Sequence, residues 1–285
     1  MLKSQDLKAH PATGASLADS MRLFVEQAVE RAYTCTRYRT PLVGFAAADD
    51  PAWNVIRDRV TPEHLLPTDI LPGAQSVVAF FVPFSYRVVT ENKRHFYVSP
   101  EWAQAYVETN ALIEDTCRGM EGMLAKRGIK AAHQPPTHNF NPETLRSPWC
   151  HKSVGYVCGL GEWGLHRMLI TERGCAGRFG SLVVDIAVPP TPRPDTIWCS
   201  FYRDGTCMEC VKRCPVRALT MSGLDKELCH RACKEVEFLY RNQFGKADVC
   251  GKCATGPCAF RPPGASKGKE SAQGSRCRPH ETASP

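Results

Sequence analysis

Cys207-Met208-Glu209-Cys210-Val211-Lys212-Arg213-Cys214-Pro215 places three cysteines at short spacing directly before a proline. A second run, Cys250-Gly251-Lys252-Cys253-Ala254-Thr255-Gly256-Pro257-Cys258, repeats the theme about 40 residues later. Nine of the 15 cysteines of this 285-residue chain lie between positions 199 and 258. Thiolates two or three residues apart can converge on one metal ion or cluster, so this density indicates metal coordination.

The spacing is typical of a segment that holds two 4Fe-4S clusters, in which the cysteine before proline ligates the other cluster. Two such clusters need about eight thiolates. The bacterial pattern has a cysteine three residues before Cys207, but this chain has Asp204 there, and Cys199 is the nearest substitute. The crossed pattern assigns one cluster to Cys199, Cys207, Cys210 and Cys258 and the other to Cys214, Cys229, Cys250 and Cys253. Cys233 remains, one helical turn from Cys229, and these two can exchange roles.

Three other interpretations of the cysteines are open. A single structural zinc would use four of them, namely Cys207, Cys210, Cys250 and Cys253. Iron–sulfur clusters could also serve only to brace the fold. Disulfides need an oxidising compartment, and the N-terminal residues 1–6 contain no apolar signal core. The cysteines that stand alone among apolar residues are interpreted as inert buried thiols, namely Cys35, Cys117, Cys158 and Cys175.

The composition is that of a soluble globular protein, with 43% hydrophobic and 23% charged residues. No apolar run is long enough to span a bilayer, so we expect no membrane partner. The net charge of +7 is modest, and no basic stripe with interleaved aromatic residues is present, so we do not expect nucleic acid as a partner. Many cysteines without an export signal indicate a reducing, low-oxygen cytoplasm.

Helices and strands alternate before the cysteine segment, which predicts an α/β layered core followed by a ferredoxin-like domain. The predicted elements are helices over 16–34, 99–127 and 224–240 and strands over 41–48, 76–84, 168–171 and 182–188. The strand over 76–84 is expected to be central and covered on both faces, and the proline-marked passage 61–73 to be a turn-rich connection. The predicted boundaries are 1–195 for the core, 196–262 for the ferredoxin-like domain and 263–285 for a disordered tail.

Three features of the core are suited to a ligand site. Asn110 lies in an apolar helical stripe, where an unpaired amide costs about 1–3 kcal/mol, so it must bond either a neighbouring loop or a ligand. The segment 133–142 combines prolines, histidines and asparagines in an ordered polar loop. The glycines of segment 151–165 allow close approach of another backbone or a planar cofactor. The expected binding residues are Asn110, Pro136, Thr137, Asn139, Gly159, Leu160, Gly161 and Gly164.

The order of short motifs resembles the epoxyqueuosine reductase and reductive dehalogenase superfamily over residues 40–260. The matching motifs are Leu71-Pro72-Gly73-Ala74-Gln75-Ser76-Val77, Gly159-Leu160-Gly161-Glu162-Trp163-Gly164 with Leu169-Ile170, Phe179-Gly180-Ser181, and Gly205-Thr206-Cys207 through Cys214-Pro215. Within it the chain is most similar to short cytoplasmic 4Fe-4S members whose function is mostly unassigned. The resemblance implies a nitroreductase-like α/β core that holds a cobalamin, with two 4Fe-4S clusters delivering electrons to the cobalt.

The chain departs from the superfamily where the named enzymes do their chemistry. Epoxyqueuosine reductases carry an aspartate proton donor ahead of the glycine-rich motif, and the corresponding stretch Asn141–Pro148 has none. The helical repeats that follow the clusters in those enzymes and the export signal of the dehalogenases are also not seen. We therefore expect a different reaction. The side chains expected to supply its proton are Tyr106, His138, His151 and Glu143.

The leading expectation is a cytoplasmic oxidoreductase that binds a corrinoid and reduces a small molecule or a corrinoid substrate at its cobalt. Arg146 is expected either to hold a corrin amide or substrate anion or to be a solvated loop charge. The expected partner is a low-potential electron donor of the ferredoxin or flavodoxin type. Two alternatives remain: an activator that reduces the cobalt of another corrinoid protein, and an iron–sulfur flavoprotein.

Overall fold

The computed structural model describes residues 14–264. Its elements are α1 Gly14–Glu30, β1 Leu42–Ala47, α2 Ala52–Arg59, α3 Pro67–Ile70, β2 Ser76–Pro83, α4 Tyr86–Arg94, α5 Pro100–Ala125, β3 Ala131–His133, α6 His151–Val157, β4 Gly161–Trp163, β5 Leu169–Thr171, β6 Gly177–Val184, α7 Ser200–Asp204, α8 Glu209–Lys212, α9 Lys226–Phe244 and a 3-10 turn Lys252–Thr255. Nearly all of the expected tail lies outside the described residues. None of the helices within 14–264 has the length and apolar character needed to cross a membrane.

The core is one antiparallel sheet with strand order β1-β2-β6-β3. All eight residues of β2 are buried, which confirms the expected central strand. Its alternating side chains enter two separate apolar clusters, because successive residues of a strand point to opposite faces. Phe80 packs with α1 and α5, and Phe81 packs with α2 and α6. The mixed α/β core is therefore layered, with helices on both faces of an antiparallel sheet.

Several elements differ from the sequence prediction. The strand expected over 182–188 is β6, which begins five residues earlier, at Gly177. Its first half was not predicted, because glycine and arginine there interrupt the apolar pattern. β5 does not join the core sheet and pairs with β4 in a separate two-stranded sheet. The passage 61–73 contains the one-turn helix α3. The helices α2 and α4 were not predicted, since charged residues interrupt their apolar faces.

The cysteine segment is attached to the core through the C-terminal end of α4. Asn92 is completely buried, and its amide donates to the carbonyl of Cys250 at 3.1 Å and accepts from the amide N–H of Ser99 at 3.1 Å. Lys252 donates from Nζ to the carbonyls of Asn92 and His95. Carbonyls in the last turn of a helix have no partner within the helix, so the lysine satisfies acceptors that α4 leaves free. These bonds fix Cys250 relative to α4.

A second seam joins the end of the cysteine segment to the chain before β6. The amide of Cys175 donates to the carbonyl of Cys258 at 2.9 Å, and the amide of Ala176 donates to that of Ala259 at 3.2 Å. Gly174 has φ +80°, and a Cβ there would lie 2.2 Å from the Ala259 carbonyl oxygen. Arg39 reinforces the seam by donating to the carbonyls of Phe84, Phe260 and Arg173. The position of Cys258 is therefore set by backbone pairing with the core.

Replacing Asn92 with alanine tests the α4 anchor. Asn92→Ala leaves the buried carbonyl of Cys250 and the amide of Ser99 without partners, so we expect a loss of about 2–4 kcal/mol in the free energy of unfolding. Urea unfolding followed by circular dichroism measures this loss. Asn54→Ala, at an exposed position of α2, is the control. A change in Asn92→Ala no larger than in this control would show that the anchor contributes little.

Candidate functional site

Four thiols, here called the first thiol group, line one small cleft. They are Cys199, Cys207, Cys210 and Cys258. Cys199 precedes α7, Cys210 lies in α8, and Cys258 is held by the seam to the core. Burial, which is the largest cause, and the charges of the other three thiols together raise the pKa of Cys210 to about 12. Thiols gathered this closely carry protons until a metal replaces them.

The second thiol group comprises Cys214, Cys229, Cys250 and Cys253. Burial raises the pKa of Cys250 to about 11, with the charges of Cys229 and Cys214 acting in the same direction. The pKa of Cys253 is also raised by burial and by its neighbours, which include Cys210 of the first thiol group. The two groups are therefore adjacent.

Cys233 lies beside Cys229 on α9. A hydrogen bond from the Cys233 thiol lowers the pKa of Cys229 to about 7, while burial opposes this shift. Cys229 is the member of the pair whose charge raises the pKa of both Cys250 and Cys253. Its choice as the fourth member of the second thiol group stays a prediction.

The donor chemistry of both groups fits 4Fe-4S clusters, which take four thiolates each. Of the four cysteines of a single zinc site, Cys207 and Cys210 line the cleft of the first thiol group, and Cys250 and Cys253 are not among its lining residues. Cys207 and Cys210 belong to the first thiol group, while Cys250 and Cys253 belong to the second. The assignment of the thiols to two crossed sets and the cluster count both stay predictions.

A polar cluster lies beside the second thiol group and consists of Tyr106, Thr137, His138, Arg178 and Asp248. The hydroxyl of Tyr106 donates to Oδ1 of Asp248 at 2.8 Å, and Thr137 Oγ1 lies 2.8 Å from the same hydroxyl. His138 Nε2 is 3.0 Å from Asp248 Oδ1. The guanidinium of Arg178 lies 4.4 Å from the centre of the Tyr106 ring. Of these residues, Tyr106, Thr137 and His138 were expected from sequence.

The polar cluster keeps Tyr106 in its neutral form. Burial raises the pKa of Tyr106 to about 12; the charge of Arg178 opposes this shift and that of Asp248 adds to it. Tyr106 therefore carries its proton at any physiological pH. The side chain of Asp248 is 7% exposed and that of His138 is 28% exposed. The hydrogen-bonded chain from Tyr106 through Asp248 to His138 consequently joins a buried proton donor to solvent.

Two buried atoms next to Tyr106 have no hydrogen-bond partner among the described residues. One is Oδ1 of Asn110, one helical turn from Tyr106, and the other is Nε of Arg178. A buried unpaired polar atom costs about 1–3 kcal/mol, and such atoms in a folded protein call for an explanation. The expected bond from Asn110 Oδ1 to a neighbouring loop is absent. The pair supplies one acceptor and one donor for a bound ligand.

The remaining residues of the polar loop have other partners. Asn139 donates to the Trp149 carbonyl at 3.2 Å and accepts from Ser147 Oγ at 3.0 Å. The carbonyl of Pro136 accepts a long bond of 3.5 Å from Arg178. Asn139 therefore shapes the loop, and Pro136 touches the polar cluster only through its backbone.

Glu143 and Arg146 lie apart from the polar cluster on an exposed turn. Burial lowers the pKa of Lys226, and the charge of Arg146 lowers it further, so Arg146 faces a second cation at the start of α9. The structure therefore does not bring Glu143 or Arg146 to the orphaned atoms.

The chain itself fills the space beside the glycines that were expected to admit a planar cofactor. A Cβ on Gly159, where φ is +75°, would lie 2.7 Å from the Pro192 carbonyl oxygen. A Cβ on Gly161 would lie 2.0 Å from the Ile170 carbonyl oxygen, and one on Gly164 would lie 2.5 Å from the His166 ring. Leu160 is buried in the apolar cluster that includes Trp53 and Trp149. These four residues serve internal packing, so an open glycine cradle is not supported.

His151 supports the polar loop and is not a free proton donor. The Pro135 carbonyl can only accept, so the neutral ring carries its proton on Nε2, which donates to that carbonyl at 3.0 Å. Nδ1 therefore accepts from Ser181 Oγ at 2.8 Å, and Ser181 Oγ in turn accepts from Trp149 Nε1 at 2.9 Å. Burial lowers the pKa of His151 from 6.5 to about 4. The expectation that His151 donates a proton is corrected to a role in positioning the loop.

Four residues of the candidate site were not predicted from sequence, namely Arg178, Asp248, His166 and Cys175. Asp248 stands two positions before Cys250, which is the only local signal it offers. Cys175, interpreted as inert, lies 3.7 Å from Cys258 between their sulfur atoms. His166 Nε2 lies 3.2 Å from the same sulfur. His166 and Cys175 reach Cys258 only through tertiary contacts, and no spacing in the sequence reports them.

The depressed pKa of His151 predicts acid destabilisation. Between pH 6.5 and pH 4 the unfolded chain binds a proton on His151 while the folded chain does not, so stability falls as the pH is lowered. We expect His151 to contribute about 2 kcal/mol to the loss between pH 7 and pH 5. His151→Gln should lose less stability than the wild type over this range in urea unfolding, whereas His95→Gln, at an exposed position, should behave like the wild type. Equal losses in all three proteins would contradict the buried neutral ring.

No protein-family model matches the chain, and no curated protein matches it. Among solved structures, an epoxyqueuosine reductase bound to an epoxyqueuosine-modified tRNA-Tyr stem loop aligns with TM-score 0.56 and 14% identity over 85% of this chain and 65% of that one. An epoxyqueuosine reductase from Bacillus subtilis gives TM-score 0.55 and 14% identity with the same coverage. A reductive dehalogenase associated with B12-dependent dehalogenation gives TM-score 0.51 and 17% identity over 88% of this chain and 32% of that one.

The chain thus spans less than two thirds of the length of the structures it matches. One of these structures holds a tRNA stem loop, whereas the sequence analysis does not expect nucleic acid as a partner of this chain. At 14–17% identity the likeness is one of fold. The chain has the fold of these epoxyqueuosine reductase and reductive dehalogenase structures.

Proposed function

We propose that this protein is an iron–sulfur oxidoreductase in which two 4Fe-4S clusters deliver electrons to a corrinoid bound beside the polar cluster. The observation that carries the proposal is that eight thiols meet in two adjacent groups next to a buried network that holds a proton. Electron carriers and a proton donor at one place are the requirements of a reductive reaction. The solved structures with this fold are reductases, and one of them concerns B12-dependent chemistry.

The two thiol groups would hold the clusters, which supply electrons one at a time when bound. Their adjacency is marked by Cys210 of the first group, whose charge raises the pKa of Cys253 in the second. Asn92 and Lys252 hold the second thiol group against α4. A fixed separation between the groups favours electron transfer from one to the other.

A corrinoid fits some of the residues expected for it and not others. Its rim carries amides, which both donate and accept hydrogen bonds. The orphaned Oδ1 of Asn110 and Nε of Arg178 offer the complementary acceptor and donor, with Thr137 beside them. The glycine segment offers no matching surface, because the chain fills it. When bound, a corrinoid supplies a cobalt centre that accepts electrons, while the contacts proposed for it come from α5, β6 and the polar loop.

The polar cluster would supply and replace the proton that accompanies reduction. Tyr106 is neutral, with its hydroxyl held by Asp248 and Thr137. His138 connects Asp248 to solvent because its side chain is partly exposed. A proton leaving Tyr106 can therefore be replaced through His138 without opening the core. The electron donor is proposed to be a low-potential ferredoxin or flavodoxin.

A modified nucleoside in RNA is a second candidate substrate. The observation that favours it is the tRNA stem loop bound to a protein of the same fold. The aspartate proton donor of the epoxyqueuosine reductases has no counterpart in Asn141–Pro148. A small molecule or another corrinoid protein therefore remains the first candidate substrate. Gel-shift titration with a tRNA stem loop separates the two, because salt-sensitive binding is expected only for the RNA substrate.

The iron content tests the clusters. Anaerobically reconstituted protein should hold about eight iron atoms, and Cys199→Ser and Cys253→Ser should each retain about four, because each group is held by its own four thiolates. Cys35→Ser, which changes an exposed cysteine, should retain all of them. Electron paramagnetic resonance of the reduced proteins assigns the two signals. Zinc without iron in the wild-type protein would overturn the proposal.

Asn110→Leu tests the corrinoid site by separating stability from binding. The change removes a buried acceptor that has no partner, so the free energy of unfolding should stay equal or rise. Cobalamin binding should weaken about tenfold, the cost of one lost hydrogen bond of about 1.4 kcal/mol. Binding is measured by the base-off Co(II) signal in electron paramagnetic resonance.

Asn54→Leu is the control for Asn110→Leu and should change neither quantity. If the wild-type protein leaves the spectrum of free cobalamin unchanged, the corrinoid hypothesis is wrong, and a flavin or a protein partner becomes the next candidate. Equal binding by wild type and Asn110→Leu would place the corrinoid elsewhere.

A further inference from the structure

The tip of the β4–β5 hairpin brings His166 to the first thiol group. The amide of Gly164 donates to the Met168 carbonyl at 3.0 Å, and Arg167 turns the chain with φ +61°. The imidazole folds back over Gly164, where any Cβ would collide with it. His166 is 4% exposed, so the turn buries the ring against the thiols. Glycine at position 164 is therefore a requirement of the histidine's placement.

The hydrogen bonds of His166 fix which nitrogen carries the proton. The amide N–H of Met168 points to Nδ1 at 3.1 Å, and an amide can only donate, so Nδ1 is the acceptor. The neutral ring then carries its hydrogen on Nε2. Nε2 lies 3.2 Å from Sγ of Cys258, which places the N–H against the sulfur. Neutral imidazole ligates a metal through its unprotonated nitrogen, and here that nitrogen is occupied by Met168.

Cys175 completes the surroundings of this sulfur. Its Sγ lies 3.7 Å from Cys258 Sγ and 3.7 Å from the Ala254 carbonyl oxygen, and the side chain is buried. His166, Cys175 and Cys258 all have a ligand atom within 4.8 Å of one another. By donor type alone the three could hold a zinc ion. The bond from Met168 argues against that, since it turns the protonated nitrogen of His166 toward the sulfur.

We propose that His166 is a positioning residue that donates a hydrogen bond to the Cys258 sulfur and raises the reduction potential of the cluster on the first thiol group. This inference rests on the proposed function, because it requires a cluster there. Reduction adds one negative charge to the cluster, and some of that charge lies on the ligand sulfurs. An N–H dipole directed at a sulfur stabilises the added charge, and hydrogen bonds to sulfur are one of the factors that set these potentials.

Two variants separate hydrogen bonding from ring bulk. His166→Leu removes the donor, so the midpoint potential of the first cluster should shift to more negative values. His166→Gln retains an N–H that can reach the same sulfur, so its potential should stay closer to that of the wild type. The measurement is a redox titration of the full-length, anaerobically reconstituted protein followed by electron paramagnetic resonance. The first cluster is the signal that Cys199→Ser loses.

A measurement on the wild type does not depend on how well a variant folds. Protein labelled with 15N-histidine and reduced should show a weak nitrogen coupling to the first cluster in pulsed electron paramagnetic resonance, as expected for a hydrogen bond. A strong coupling, as for a nitrogen bound to iron, would overturn the inference. No coupling at all would also overturn it.

His64→Leu is the matched control for the potential. His64 is as buried as His166, but its ring contacts the backbone of Leu65 and Cys150. The midpoint potential of the first cluster in His64→Leu should match that in the wild type. Equal potentials for the wild type and His166→Leu would overturn the inference while the iron content leaves the proposed function standing. A wild type without iron on the first thiol group would instead overturn the proposed function, and the inference with it.

Discussion

The crowding of eight thiols, two of them buried and six partly buried, is the constraint on which the rest of the structure depends. Thiolates repel one another and lose hydration when buried, so without a metal the pKa of Cys210 rises to about 12 and that of Cys250 to about 11. Such a set is stable only as protonated thiols or as metal ligands. Its geometry must therefore be fixed by bonds to the rest of the chain. Lys252 ties the segment to α4, and the seam at Cys258 ties it to the chain before β6.

The same constraint explains what the glycine-rich segment does. Its sequence suggests an open surface for a flat cofactor, yet its glycines allow the chain to approach itself. Gly161 lets β4 meet β5, and Gly164 makes room for the ring of His166. The hairpin thus carries a polar N–H group to the sulfur of Cys258, which the thiol of Cys175 also contacts. The glycine-rich segment, which the sequence suggests as a cofactor surface, supports the first thiol group in the folded structure.

Periodic and local features were predictable from sequence, and contacts between distant segments were not. The central strand β2 follows from an unbroken apolar run, and α5 follows from its stripe and its Ser-Pro start. Asp248 meets Tyr106 across 142 residues, and Cys175 meets Cys258 across 83. No periodicity encodes such pairs, because they depend on how whole elements pack. The role of His151 was misjudged for the same reason, since its partners lie on other segments.

The polar cluster has a cost that the fold alone does not explain. An apolar residue at position 110 would pack in the stripe of α5 without leaving an acceptor unpaired, and the buried Nε of the partly buried Arg178 has no partner among the described residues. Local features that lower stability without structural benefit tend to mark functional sites. Here they coincide with the neutral hydroxyl of Tyr106 and with the polar loop that His151 holds in place. The ordering of that loop, the orphaned atoms and the adjacent second thiol group all point to the same space between α5 and the cysteine segment, and a ligand there would have electrons on one side and a proton on the other.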